Sequence, residues 1–287
     1  MTIRQATIRQ ATIRQAPTGE APSAGAARYT TRTAMIMGLP FSIHLRGVAQ
    51  PDALDAAVQE VWASLRAADR VFSTYRADSD ISRIRRRELR VRDADPAVVE
   101  VLDFAEIARR LTGGTFDVRG GGALDPSGIV KGWAASRAAA PLSALGVDYY
   151  LNAGGDVLLR SAAADLPWRI GIEHPDDPHG LLAVVALTMG AVATSGGAHR
   201  GAHIWDPTTG RPAGGVVQAT VVGPSLVWAD ILATAVVAGG VELLQHRQWP
   251  PGHQFLLVTD DGRVLGSPGF RAFLAPDVPA PPMVDLD

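Results

Sequence analysis

The 287-residue chain has no cysteine. That excludes disulfides, thiolate-bound zinc, iron–sulfur clusters and the lipid-attachment cysteine of an exported lipoprotein. Lysine is almost missing too: of 27 basic residues, 26 are arginine, and Lys131 is the exception. A chain that uses arginine wherever a positive charge suffices either needs a compact ammonium at Lys131 or retains it by chance. No apolar run reaches the roughly 18 residues of a membrane span; the longest, 181–193, is broken at Gly190. The first residues lack the charged, apolar and cleavage regions of a secretory signal, so a cytoplasmic location is the expectation. The net charge of −2 provides no basic excess of the kind a general nucleic-acid binder carries.

What is present is a globular composition, 47% hydrophobic and 20% charged, with 30 glycines and 20 prolines that imply many loops. Residues 2–16 read TIRQA three times, a period that matches no solenoid. Together with the Pro/Gly/Ala-rich stretch that follows, they predict a disordered tail over 1–28, ahead of a folded domain over 29–280. Strand-like sequence over 33–45 is interrupted by Gly38 and Pro40. Leu54, Val58, Val61, Leu65 and Ala68 predict a helix over 51–72, and Asp95-Pro96 opens another that closes at Gly113-Gly114. The arginine-rich segment 81–92 between them reads as an exposed loop or edge. Further helices are expected over 129–140 and 226–237. Strands are expected over 149–151, 168–172, 182–187, 191–194 and 216–222, with a hairpin pairing 255–259 and 263–265. This pattern predicts an α+β fold, a single layered domain of mixed or antiparallel strands and helices.

Glycine and polar residues concentrate at Met37-Gly38 and over 72–83, 112–134, 151–156 and 193–212. None of these stretches fits a Walker loop or a dinucleotide fingerprint, and each alone is compatible with plain turns. The segment ADILATA (229–235) is more specific. Asp230 and Thr234 are four residues apart and share one face of a predicted helix whose other residues are apolar. They are either two hard oxygen ligands suited to Mg²⁺ or a solvated aspartate beside a threonine bonded back to its helix. A carboxylate in so apolar a helix is costly unless it is paired or metal-bound. His203, just ahead of the turn-forming string DPTTG, is either a general base or a turn cap. The other histidines, at 44, 174, 179, 199, 246 and 253, lack comparable surroundings.

Taken in order, the strings MGLPFSI (37–43), FSTYRADSDISR (72–83), TGGTFDV (112–118), DPSGIVKGWAASRA (125–138), LNAGGDV (151–157), WRIGIEHP (168–175), AVATSGGAHRGAHIWDPTTGRPA (191–213) and WADILATA (228–235) resemble the FAD:protein FMN transferases, the ApbE-like flavin transferases. The resemblance implies an α+β fold related to the T-fold, with FAD in a cleft between layers. It implies Mg²⁺-dependent transfer of the FMN moiety of FAD to a threonine or serine of an acceptor protein, forming a phosphoester and releasing AMP. Carried over by motif, flavin contacts fall on Met37, Tyr75, Thr115, Phe116, Asp117, Asp125, Lys131 and Trp205. The metal falls on the Gly128 carbonyl, Asp230 and Thr234, and the base on His203. Tyr75, Phe116 and Trp205 are then candidates to pack on adenine or isoalloxazine. Lys131 is expected to face FAD or to anchor Asp125. The chain departs from many relatives at Ala233, where they carry a second acidic residue, and at Pro126 ahead of the lysine block. FAD storage without transfer, or hydrolysis of FAD to FMN and AMP, are the alternative activities.

Overall fold

The computed structural model describes residues 29–162, 166–177, 179–196, 205–245 and 248–286. The expected tail over 1–28 lies outside them.

The chain opens with a hairpin of β1 (Tyr29–Ile36) and β2 (Leu39–Arg46). Its turn is Met37-Gly38, with φ of 55° and 70°, so the glycine that interrupts the strand pattern is the residue that allows the reversal. The helix α1 (Pro51–Phe72) follows, with proline in its first turn and Val58, Val61 and Leu65 buried on one face. The next element corrects the expected loop: 80–85 forms a short helix, α2 (Asp80–Arg85). Its Ser79 cap accepts the Ser82 N–H and donates to the Ser73 carbonyl, which the arginine run conceals in the sequence. Helix α3 (Pro96–Leu111) is capped by Asp95, as Asp95-Pro96 predicts. Then come α4 (Ser127–Ala138), α5 (Ala140–Ala144), β3 (Asp148–Ala153) and β4 (Asp156–Arg160). The strands β5 (Trp168–Glu173), β6 (Leu181–Leu187) and β7 (Met189–Gly196) follow, then the two-residue strands β8 (Trp205–Asp206) and β9 (Arg211–Pro212), and β10 (Val216–Gly223). Last are α6 (Leu226–Gly239), α7 (Glu242–Gln245), β11 (Gln254–Thr259), β12 (Val264–Gly266) and β13 (Met283–Asp285).

Nine strands form one sheet in the order β1-β2-β3-β4-β7-β10-β11-β12-β13, antiparallel throughout except for the last pair. One face carries the helices, and Phe41, Ile43, Leu65, Ile129 and Ile231 fill the layer between. The other face is covered by the β5–β6 hairpin and the C-terminal segment, with Tyr150, Trp168, Val185 and Phe270 between them. Burial on both faces explains why the central strands read as continuous apolar runs rather than alternating ones. The α+β expectation is borne out.

Candidate active site

The site is built where α4 and α6 pack together over the central strands of the sheet. Helix α6 is capped by Ser225 and buried nearly all round, which makes Asp230, 3% exposed, an unusual occupant. Thr234 follows one turn later on the same face. Helix α4 lies against α6 so closely that a Cβ on Gly132 would sit 3.0 Å from the Leu226 carbonyl oxygen. That contact sets Lys131 opposite Asp230. Strand β4 enters after a Gly154-Gly155 turn with φ of 62° and 111°, and its first residue, Asp156, is 2% exposed.

Lys131 Nζ lies 2.5 Å from Asp156 Oδ2 and 3.4 Å from Asp230 Oδ1. The Thr194 N–H donates to Asp156 Oδ1 at 3.1 Å. The hydroxyls of Ser195 and Thr234 are hydrogen-bonded at 3.0 Å, and those of Thr194 and Thr220 at 2.9 Å. Asp230 Oδ2 is buried without a hydrogen-bond partner. Burial pushes the Asp230 carboxyl up to about 7; the Lys131 ammonium opposes that rise and the Asp156 carboxylate adds to it.

A buried carboxylate oxygen without a donor is expensive, and a divalent cation would satisfy it. The side-chain oxygens at hand are those of Asp230 and the Thr234 hydroxyl one turn on along α6. Such a hard, oxygen-only set suits Mg²⁺, which keeps several waters and takes few protein ligands. Among the described residues no group of three or more His, Asp or Glu side chains forms an all-protein metal cage. The unpartnered Asp230 oxygen beside the Thr234 hydroxyl is donor chemistry of a kind that fits magnesium.

The loop between α3 and α4 borders this cluster and carries four of the expected cofactor residues. Thr115 Oγ1 donates to the Thr112 carbonyl, and its methyl packs where a Cβ on Gly239 at the end of α6 would lie, 2.7 Å away. Phe116 is buried and its ring covers Gly128, at 3.1 Å from where a Cβ would be. Its ring shapes the first turn of α4, whereas Tyr75 and Trp205, 97% and 55% exposed, present their rings outward. Asp117 accepts the Arg119 N–H. Asp125 corrects an expectation: its ion pair is with Arg85, at 3.3 Å, and Lys131 is committed to Asp156 and Asp230 instead. Arg85 also donates to the Leu124 carbonyl, so α2 holds this loop in place. Met37 sits at the β1–β2 turn with a left-handed φ that a non-glycine residue rarely adopts, a strain typical of functional positions. The β8–β9 hairpin packs on the same loop, with Pro207 against Gly120 and Thr208 against Gly114. His203 lies outside the described residues.

Two participants were not singled out from the sequence. Asp156 is in the LNAGGDV block, and the two preceding glycines were the signal available for it. Ser195 is in the SGG string. Both reach the cluster through sheet pairing rather than local spacing.

The fold is that of solved ApbE structures. The ApbE protein of Thermotoga maritima superposes with a TM-score of 0.74 at 21% identity, over 86% of this chain and 100% of that one. The flavin transferase ApbE of Vibrio cholerae does so with a TM-score of 0.74 at 26% identity and the same coverage. In sequence the chain is 36% identical over 167 residues to the FAD:protein FMN transferase of Rhodobacter capsulatus, covering 53% of this chain and 31% of that protein. It is 35% identical over 169 residues to that of Vibrio cholerae, covering 53% and 50%. These alignments span half or less of the curated relatives' lengths. The ApbE family model matches residues 37–123 and 119–249, and the chain belongs to the ApbE family. The resemblance read from the ordered motif blocks is thereby borne out.

Proposed function

We propose that the protein transfers the FMN moiety of FAD to a threonine or serine hydroxyl of an acceptor protein in a Mg²⁺-dependent reaction that releases AMP. The observation that carries this reading is the buried Asp230 Oδ2 without a hydrogen bond, beside Thr234 and the Lys131 ammonium. A storage protein needs no such oxygen set. The names of the curated relatives support the same reading.

Asp230, Thr234 and the Gly128 carbonyl would hold the ion. When bound, it would neutralise diphosphate charge and make AMP a better leaving group. The Lys131 ammonium adds a fixed positive charge at the rim, aimed by Asp156. Thr115, Asp117 and Asp125 line the loop that would face the dinucleotide, while Met37, Tyr75 and Trp205 offer apolar surface to its rings. The acceptor oxygen attacks the phosphorus of the FMN half, its P–O bond forms, and the phosphoanhydride bond to AMP breaks. His203 takes the hydroxyl proton. Water in place of the acceptor would give FMN and AMP from the same groups.

Incubation with FAD, Mg²⁺ and threonine-bearing candidate proteins, read by mass spectrometry, tests the reading. The expected result is an FMN increment on the acceptor and stoichiometric AMP. AMP without the increment in any acceptor leaves hydrolysis as the activity, and neither product with FAD bound leaves storage. His203→Ala should retain FAD and slow transfer by about 10²–10⁴-fold; an unchanged rate removes the histidine as base.

A further inference from the structure

The Lys131 ammonium is shared unequally between two buried carboxylates, at 2.5 Å from Asp156 and 3.4 Å from Asp230. Because charge attraction falls with distance, the nearer carboxylate holds it. Asp156 cannot follow the ammonium towards α6. Its Oδ1 takes the Thr194 N–H from the neighbouring strand, and its backbone is paired with Ala153 in the β3–β4 hairpin. By distance the ammonium stays on the β4 side: Asp156 Oδ2 has the Lys131 ion pair as its contact, and Asp230 Oδ2 has no hydrogen-bond donor.

We propose that Asp156 is a positioning residue: by holding the Lys131 ammonium against β4 it keeps Asp230 Oδ2 open to a divalent cation. Without the Asp156 charge, Asp230 is the nearest carboxylate to the ammonium among the described residues, and the ammonium then closes on it and competes with the ion for the same oxygens. This inference rests on the metal reading above and adds a role for a residue that need not ligate the metal. Ion-pair partners behind a metal ligand commonly set affinity by about 10–100-fold.

The test is Mn²⁺ binding to the full chain, without FAD, followed by electron paramagnetic resonance; Mn²⁺ accepts the same oxygen donors as Mg²⁺. Asp156→Asn should weaken binding by about tenfold or more. In a Lys131→Met background the same substitution should cost less than about a third of that factor, because no ammonium remains to close on Asp230. Asp156→Glu, which keeps the anchoring charge, should bind within about threefold of the unsubstituted protein. It also serves as the informative variant if Asp156→Asn does not fold. Equal losses with and without Lys131 would make Asp156 a ligand or a general source of charge, and overturn the positioning role. So would an unchanged affinity in Asp156→Asn, or a tenfold loss in Asp156→Glu. If the unsubstituted protein binds no Mn²⁺, or Asp230→Ala binds as well as it does, the metal reading itself fails and takes this inference with it.

Discussion

Two buried charge clusters lie on the same sheet, and they are solved differently. At one, Arg46 on β2 donates through Nε to Asp148 Oδ2 at 2.7 Å and through Nη2 to the Ser161 hydroxyl and the Leu166 carbonyl. The Ala162 N–H donates to the other oxygen of Asp148, and the guanidinium lies 4.4 Å over the Trp168 ring. Both carboxylate oxygens have donors. At the other, Lys131 serves two carboxylates, and Asp230 keeps an oxygen with none. The first cluster clasps β2, β3 and the approach to β5 together. The second stores an unmet demand for positive charge where α4 and α6 touch. The first cluster is satisfied within the protein, whereas the second leaves a buried oxygen that the protein alone does not satisfy.

Substitutions that equalise the clusters test this contrast. The largest effect is expected from Asp230→Asn. On the function proposed above, metal-dependent release of AMP from FAD should fall by at least about a hundredfold, since the ion would lose its one charged ligand from α6. The metal-free protein should meanwhile become more stable at neutral and alkaline pH. The raised Asp230 pKa means the folded state binds a proton the unfolded chain has given up, so stability falls as pH rises from the ordinary carboxylate value towards about 7. Asparagine removes that loss. Thermal unfolding across this range, with AMP assays in parallel, reads both, and a variant that is active or no more stable breaks the contrast.

Arg46→Ala should do the reverse. It leaves Asp148 buried without its cation and should cost about 3–5 kcal/mol by denaturant unfolding. Mn²⁺ affinity at the other cluster should be unchanged in the folded fraction. The smallest effect concerns His44, which stacks on Tyr150 at 4.1 Å beside the Arg46 clasp. Burial pushes its pKa down to about 4, so the fold holds it neutral. The unfolded chain takes up a proton below about 6.5, and stability is lost as pH falls from there towards 4. The ring is only half-buried, so solvent screening reduces this contribution to about 1 kcal/mol. This slope opposes that of Asp230 over part of the same range. It should emerge alone in Asp230→Asn and vanish when His44→Gln is added.

The sequence made local features legible. Helix α1 follows from its apolar spacing and its proline, α3 from Asp95-Pro96, and the pairing of Asp230 with Thr234 from a four-residue interval on a helix. The large sheet could not be ordered that way, because β2 meets β3, and β4 meets β7, only through long-range pairing. Asp156 and Ser195 were hidden for the same reason. Strand β4 was missed because it is short and follows two glycines, and α2 because its charge masks a cap supplied by Ser79. Asp125 was given the wrong partner since nothing in its own segment shows that Arg85 folds back over the loop.

The scarcity of lysine gives this site a practical property. An amine-directed reagent has one side chain to find in the entire protein, and that side chain, 19% exposed, sits between two acids at the junction of α4 and β4. Carbamylation or acetylation of the intact molecule is therefore a single-address chemical readout of whatever binds beside Lys131, with the terminal amine serving as an internal standard.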